Sequence, residues 1–187
     1  GFSYGGRYDE NRNITRPGPQ NKQIEDVMYD HYEKCRKVPR GGDPIAIPVF
    51  VQWEVALSGK LRTVVPKQSL HVLVPPVDVM TAKHAHFTTK QILVTVKEML
   101  LQKGMNPAIT PIGLFAHRYH LPRVFDLAQE EGFGRIATPS LDDLPRDQDP
   151  DCAYPWLRDF QGFVLANSIS RLARIRDKLY CDKFSQK

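Results

Sequence analysis

Residues 88–104 read TTKQILVTVKEMLLQKG and carry the clearest secondary-structure signal in this chain of 187 residues. Thr88 and Gln91 have the spacing of a capping box, in which side chains and backbone amides satisfy one another at a helix start. Gly104 follows the last turn, where a helix C-cap is expected. The apolar residues between them recur every three or four positions and are Ile92, Leu93, Val96, Met99 and Leu100. This stretch predicts an amphipathic helix with one buried face.

Three strands are predicted before this helix. Residues 49–57 alternate apolar side chains with a period of two, which is typical of a half-buried strand. A turn signal over residues 58–60 precedes a second strand over 61–65. A third strand over 69–74 ends at a pair of prolines, which cannot donate hydrogen bonds to a sheet.

The region after the helix predicts two further strands and a second helix. Residues 108–116 are interpreted as a buried strand, Pro122 to Glu131 as a helix with proline in its first turn, and 135–138 as a short strand. The order β-β-β-α-β-α-β favours the α+β class, with a small two-layer domain in which helices cover one face of a sheet. A split βαβ arrangement is one candidate topology.

Four regions follow from these elements. Residues 1–44 are predicted to form an extended N-terminal tail, with a short helix over 20–37. The α+β core domain covers 45–138, an acidic proline-rich linker 139–155, and a basic amphipathic helix 156–187. A tail and a linker of this composition bury too little of their own surface to order themselves. A large neighbour is therefore expected to hold them.

Composition is typical of a globular protein from a reducing compartment. Hydrophobic residues make up 41% and charged residues 25%, which excludes wholesale disorder. No stretch approaches the roughly 18 consecutive apolar residues of a membrane span. The three cysteines are far apart and odd in number, which argues against a disulfide framework. A cleaved presequence would explain the start at Gly1, and a mitochondrial matrix location is expected on that basis.

A basic surface is predicted on the C-terminal helix. Arg171, Arg174 and Lys178 stand at i, i+3 and i+7 and therefore share one helix face. Cations on one face suit RNA phosphates, because each neutralised phosphate releases counterions. The alternative is the solvated outer face of an amphipathic helix, which has the same pattern. The whole chain carries a net charge of +5, which is a mild excess.

The N-terminal tail is a second candidate for RNA binding. Arg7, Arg12 and Arg16 alternate with Tyr4 and Tyr8 in a backbone rich in glycine and asparagine. Such segments can stack on unpaired bases and pair with phosphates, and they fold on binding. The alternative is a tail without a partner.

No metal site is predicted, although four histidines are candidate ligands. His84 and His86 have the spacing of two side chains on one face of a strand, and His117 and His120 that of one helical turn. The alternative is ordinary surface histidine, because no carboxylate or cysteine joins the pairs at a known zinc spacing. No nucleophile elbow, Walker sequence or dinucleotide fingerprint is present, so no catalytic residue and no cofactor are predicted.

These observations predict a non-enzymatic structural subunit of a large ribonucleoprotein, most concretely a mitochondrial ribosomal protein. Its partners would be ribosomal RNA and neighbouring proteins, with the acidic linker against protein and no small-molecule substrate. A protein scaffold in an organellar assembly, such as a respiratory or ATP-synthase complex, is the alternative. A small metal-dependent enzyme that uses the four histidines is the third interpretation.

Overall fold

Helices and short two-stranded sheets alternate along the chain in the computed structural model, and the predicted α+β class is confirmed. The structure describes residues 1–3, 6–8, 14–37, 47–75, 77–78, 83–84, 87–152, 155–169 and 172. The predictions for Arg12, His86, Arg171, Arg174 and Lys178 concern residues outside these ranges.

A β-hairpin and a long helix form the N-terminal part. Strand β1 (Gly6–Tyr8) pairs antiparallel with β2 (Ile14–Pro17). Helix α1 (Pro19–Lys37) follows, and proline is compatible with its first turn because the helix leaves the first amides unpaired. Ile24 and Met28 lie one turn apart on α1 and are buried. The helix predicted over 20–37 is therefore present and anchors the hairpin to the core.

The next sheet differs from the predicted one. Strand β3 (Val49–Gln52) pairs in parallel with β4 (Leu70–Leu73). The segment between them contains the short helix α2 (Trp53–Ala56) and a 3-10 turn (Leu61–Thr63). The predicted long strand over 49–57 is thus a strand of four residues and a helix, and the predicted strand over 61–65 does not form.

The physical reason for this difference lies in burial and in one hydrogen bond. Val51 and Val55 are fully buried at a four-residue spacing, which one helical turn satisfies as well as alternation does. The Glu25 carboxylate accepts a hydrogen bond of 2.8 Å from the Leu61 amide, which stabilises the start of the 3-10 turn. A carboxylate from α1 therefore selects a turn where the local pattern favours a strand.

The central helix matches its prediction closely. Strands β5 (Val77–Asp78) and β6 (Lys83–His84) pair antiparallel before α3 (Thr89–Gln102). The capping box is present, because the Gln91 amide donates to Thr88 Oγ1 and the Thr88 amide donates to Gln91 Oε1. Gly104 has a φ of 73°, a left-handed conformation that glycine adopts at little cost.

A βαβ unit completes the core. Strand β7 (Pro111–Gly113), helix α4 (Leu121–Glu130) and strand β8 (Arg135–Ala137) follow one another, and the two strands pair in parallel. Strand β7 is shorter than the segment predicted over 108–116, whereas α4 and β8 lie within two residues of their predicted bounds. Helix α4 packs on α3, and both helices contribute to one hydrophobic cluster.

The first residues of the chain connect the two parallel sheets. The Gln52 amide donates to the Gly1 carbonyl at 3.1 Å, and the Phe2 amide donates to the Phe115 carbonyl at 2.8 Å. The Phe2 side chain is 4% exposed and belongs to the cluster around α3 and α4. Residues 1–3 therefore lie between β3 and the segment after β7.

The C-terminal part begins with an acidic segment and ends in a helix. The segment contains a 3-10 turn (Leu141–Asp143), and Leu144 is buried in the cluster around α3 and α4. A second turn (Pro155–Leu157) precedes helix α5, which covers residues 160–169. Across the described ranges, no helix combines the length and the apolar character that a membrane crossing needs.

Candidate interaction surface

Three of the most exposed apolar side chains of the described chain lie on one face of the C-terminal helix. Leu165 and Ile169 are 63% and 58% exposed, and Leu172, in helical conformation, is 66% exposed. Their spacing of four and three residues places them along one line on a helix. We call these three residues the apolar stripe.

The other side of α5 is attached to the core. Phe163 is 6% exposed, and its ring centroid lies 6.2 Å from that of His117 and 6.3 Å from that of Tyr119. Arg123 on α4 donates from Nη1 to the Asn167 side-chain oxygen at 3.4 Å. Since Phe163 and Asn167 are one turn apart, this face holds α5 to the body and leaves the stripe pointing outward.

The start of α5 is fixed by an N-cap. The Asp159 carboxylate accepts a hydrogen bond of 2.7 Å from the Gly162 amide, which satisfies one of the free amides of the first turn. A Cβ atom at Gly162 would lie 3.3 Å from the backbone of Trp156, so glycine permits this close approach. The orientation of the helix is therefore set at its beginning as well as along its length.

Arg7, which was predicted to bind RNA, makes an ion pair within the chain. Its Nε and Nη2 atoms donate to the two Asp149 oxygens at 3.0 and 2.8 Å, and the Asp149 side chain is 2% exposed. This hydrogen bonding raises the pKa of Arg7. Arg16 is exposed on β2. An RNA role for these two residues stays a prediction, but Arg7 already holds the hairpin to the acidic segment.

The acidic segment also bonds to other parts of the chain. Gln20 Nε2 and His117 Nε2 both lie within hydrogen-bond distance of the Asp147 carbonyl, at 2.9 and 3.2 Å. The Arg118 amide donates to the Pro145 carbonyl at 3.0 Å. The described residues of the tail and the linker are thus joined by the Arg7–Asp149 ion pair and the hydrogen bonds to the Asp147 carbonyl. The expectation that a large neighbour also holds them stays a prediction.

The predicted histidines are only partly brought together. His117 is fully buried and burial lowers its pKa to about 4, whereas His120 hydrogen-bonds through Nε2 to Thr89 Oγ1 at 3.3 Å. Burial and the Arg123 charge lower the pKa of His120 to about 3. His84 lies on β6. The described residues contain no group of three or more His, Cys, Asp or Glu side chains suited to a metal ion. The structure therefore adds no support for a metal role of these four histidines.

Two buried carboxyl groups escaped the sequence analysis. Glu25 is fully buried on α1, and Glu54 is 5% exposed on α2. Burial raises the pKa of both groups, that of Glu54 to about 7. Glu25 directly follows the buried Ile24 on α1, so its burial could have been expected from the helical pattern. The burial of Glu54 could not, because its segment was predicted to be a strand.

The aromatic contacts at the base of α5 also escaped it. Tyr119 and Phe160 are 41% and 53% exposed, and their ring centroids lie 5.1 Å apart. The two residues are 41 positions apart in the sequence. No local pattern could pair them, because the contact arises only when α5 packs beside α4.

Comparisons with known proteins do not extend this description. No family model, no curated protein and no solved structure matches the chain. The function must therefore follow from the residues of the chain itself.

Proposed function

We propose that the chain is a non-enzymatic structural subunit of a large ribonucleoprotein, as a mitochondrial ribosomal protein would be. The apolar stripe is the observation that carries the proposal. Leu165, Ile169 and Leu172 are each more than half exposed on a helix whose opposite face is attached to the core. A stripe of this kind at helical spacing is typical of a surface that a partner covers.

The energetic argument is that water is a poor environment for this face. Burying a leucine or isoleucine side chain gains roughly 1.5–3 kcal/mol relative to leaving it exposed. Burial of all three side chains of the stripe by a neighbour therefore lowers the free energy of the complex by several times the thermal energy RT. Single exposed apolar residues need no explanation, but three along one helix line do.

The RNA part of the proposal is supported by charge. Residues 158–187 contain seven basic and three acidic side chains, a net charge of +4. The helical spacing predicted from the sequence puts Arg171, Arg174 and Lys178 on a different face from the apolar stripe. One helix would then contact a protein neighbour and RNA phosphates at the same time.

The acidic segment supports a contact with protein. Residues 138–157 carry one basic and five acidic side chains. Asp149 faces inward to Arg7, whereas Asp142 is 82% exposed and pairs with Arg118 only at 3.9 Å. Exposed carboxylates of this segment suit a basic surface of a neighbouring protein.

The test is sedimentation of the tagged full-length protein after gentle native purification, before and after RNase. We expect a large particle that collapses with RNase. The double variant Leu165→Gln and Ile169→Gln should leave the particle. The matched control replaces Leu101 and Ile109 with Gln, because these residues are 53% and 65% exposed and do not lie on α5. The control variant should remain bound to the particle.

Other results would support other functions. A large particle that resists RNase would favour the scaffold of an organellar protein complex, for which the apolar stripe is an equally suitable contact. A free species near the mass of the chain would contradict both assemblies. Stoichiometric metal in a chelator-free preparation would then favour the metal-dependent enzyme.

A further inference from the structure

A pair of exposed aromatic rings lies at the junction of α4 and α5. Tyr119 precedes α4 and is 41% exposed, and Phe160 begins α5 and is 53% exposed. Their ring centroids are 5.1 Å apart with an interplanar angle of 61°. Two neighbouring aromatic rings are thus partly exposed to solvent.

The Tyr119 ring of this pair packs against two buried rings. The Tyr119 ring lies 5.6 Å from the buried His117 ring and 6.3 Å from the Phe163 ring, centroid to centroid. The turn that carries Tyr119 is held by a 2.8 Å hydrogen bond from the His120 amide to the His117 carbonyl. Because the support is buried, the exposed rings are held in place before any partner binds.

A cation lies over the Tyr119 ring. The Arg118 guanidinium carbon is 5.8 Å from the Tyr119 ring centroid, and Asp142 is its ion-pair partner at 3.9 Å. The Asp142 side chain is 82% exposed. Such a long and solvated ion pair contributes little, so a phosphate can replace the carboxylate at small cost.

We propose that Tyr119, Phe160 and Arg118 form a platform that takes an unpaired base of single-stranded RNA. The base stacks on a ring, and the guanidinium pairs with the adjoining phosphate. Proteins recognise single-stranded RNA in this way, because every base has a face that stacks on an aromatic ring and a phosphate beside it. The proposal rests on the proposed function and names a contact separate from the basic residues of the C-terminal helix.

A nucleic acid fits this place better than a protein does. A protein neighbour needs continuous apolar area, which the stripe offers on the other side of α5. The platform instead combines two exposed rings with a guanidinium that lies over one of them. A planar base joined to an anion has the complementary arrangement.

The test measures binding of the full chain to a labelled single-stranded oligouridine by fluorescence anisotropy, with a duplex RNA of equal length as comparison. We expect a preference for the single strand. Tyr119→Leu keeps apolar volume but loses the aromatic face, and it should weaken binding about tenfold, whereas Tyr119→Trp should retain it. Phe160→Leu should act in the same direction as Tyr119→Leu.

The salt dependence isolates the guanidinium. Arg118→Gln should lower the slope of log affinity against log salt by about 0.7, the value for one phosphate on a single strand. Arg62→Gln removes an exposed arginine on the 3-10 turn and is the matched control, with a smaller change expected.

Several results would overturn the platform. These are a wild-type chain that does not bind the single strand, Tyr119→Leu with unchanged affinity, or Tyr119→Leu and Tyr119→Trp weakened equally, which would indicate lost packing. Normal affinity with poor incorporation of Tyr119→Leu into the particle would indicate a protein contact. The proposed function fails separately, since it depends on the RNase-sensitive particle of the wild-type chain.

Discussion

The Arg7–Asp149 ion pair joins the N-terminal hairpin to the acidic segment. Both carboxylate oxygens accept from the guanidinium, and Asp149 Oδ1 also accepts from the Asp151 amide at 3.1 Å. Arg7 is 39% exposed, so water replaces part of the interaction when the carboxylate is lost. Local sequence could not predict this pair, because the two residues are 142 positions apart.

We expect Asp149→Asn to destabilise the fold by about 2 kcal/mol, the usual scale for hydrogen bonds to a charged group. The measurement is the urea midpoint at constant slope. Asp151→Asn serves as control, since Asp151 is 72% exposed and lies 3.4 Å from Arg7. It should change the midpoint little, and equal losses in both variants would contradict the special role of Asp149.

Glu54 should make stability depend on pH. Its pKa is raised from 4.5 to about 7 by burial, so the folded chain binds more protons than the unfolded chain between these values. Stability from this group is therefore present below pH 4.5 and is lost as pH rises to about 7. Glu54→Gln should remove that loss and be more stable than wild type above pH 7.

The measurement for Glu54 is the difference between variant and wild type in urea unfolding from pH 4.5 to 8. The difference isolates Glu54, because His117 and His120 act in the opposite direction in both proteins: their lowered pKa values make acid destabilising. A difference that stays constant across this range would show that Glu54 keeps an ordinary pKa.

At the scale of elements, the longer helices α1, α3 and α4 and the strand β8 were predictable, whereas the short helix α2 was not. The α3 helix has its whole signal within residues 88–104, including both partners of the capping box. The strands β3 and β4 are parallel, and each forms its hydrogen bonds with the other. The segment 49–57, whose pattern predicts one strand, contains the helix α2 in its second half. Short apolar runs fit both periods, so the tertiary contact through Glu25 decides between them.

Thr88→Ala should test how much the capping box contributes to α3. The Thr88 hydroxyl accepts from the Gln91 amide at 3.2 Å, and loss of a threonine N-cap costs about 1 kcal/mol. Thermal unfolding measures the change, and Thr95→Ala within the same helix is the control. A loss no larger than the control's would mean that packing alone determines the start of α3.

At the scale of the whole molecule, two parallel strand pairs are connected by residues from the chain start. Sequence analysis predicted the α+β class and the helices that define it, which the structure confirms. It assigned residues 1–3 to a tail, because three residues carry no period and their partners Gln52 and Phe115 are remote. Pairing of this kind becomes visible only in three dimensions.

Phe2→Ala should therefore weaken the whole fold and not merely one end. Phe2 is 4% exposed in the cluster of α3 and α4, and removal of a buried phenylalanine ring costs about 3–5 kcal/mol. The expected result in urea is a large shift of a single transition, seen alike by tryptophan fluorescence and circular dichroism. Separate transitions for the two probes would show that the sheets unfold independently.

The position of residues 1–3 also has a consequence for the order of folding during synthesis. The Phe2 amide donates to the Phe115 carbonyl, so residues 1–3 must wait for a partner that is synthesised much later. Contacts of such sequence separation slow folding, because a long loop must close before they form. The βαβ unit of α4 can form locally, whereas the junction between the sheets closes only after Phe115 has left the ribosome.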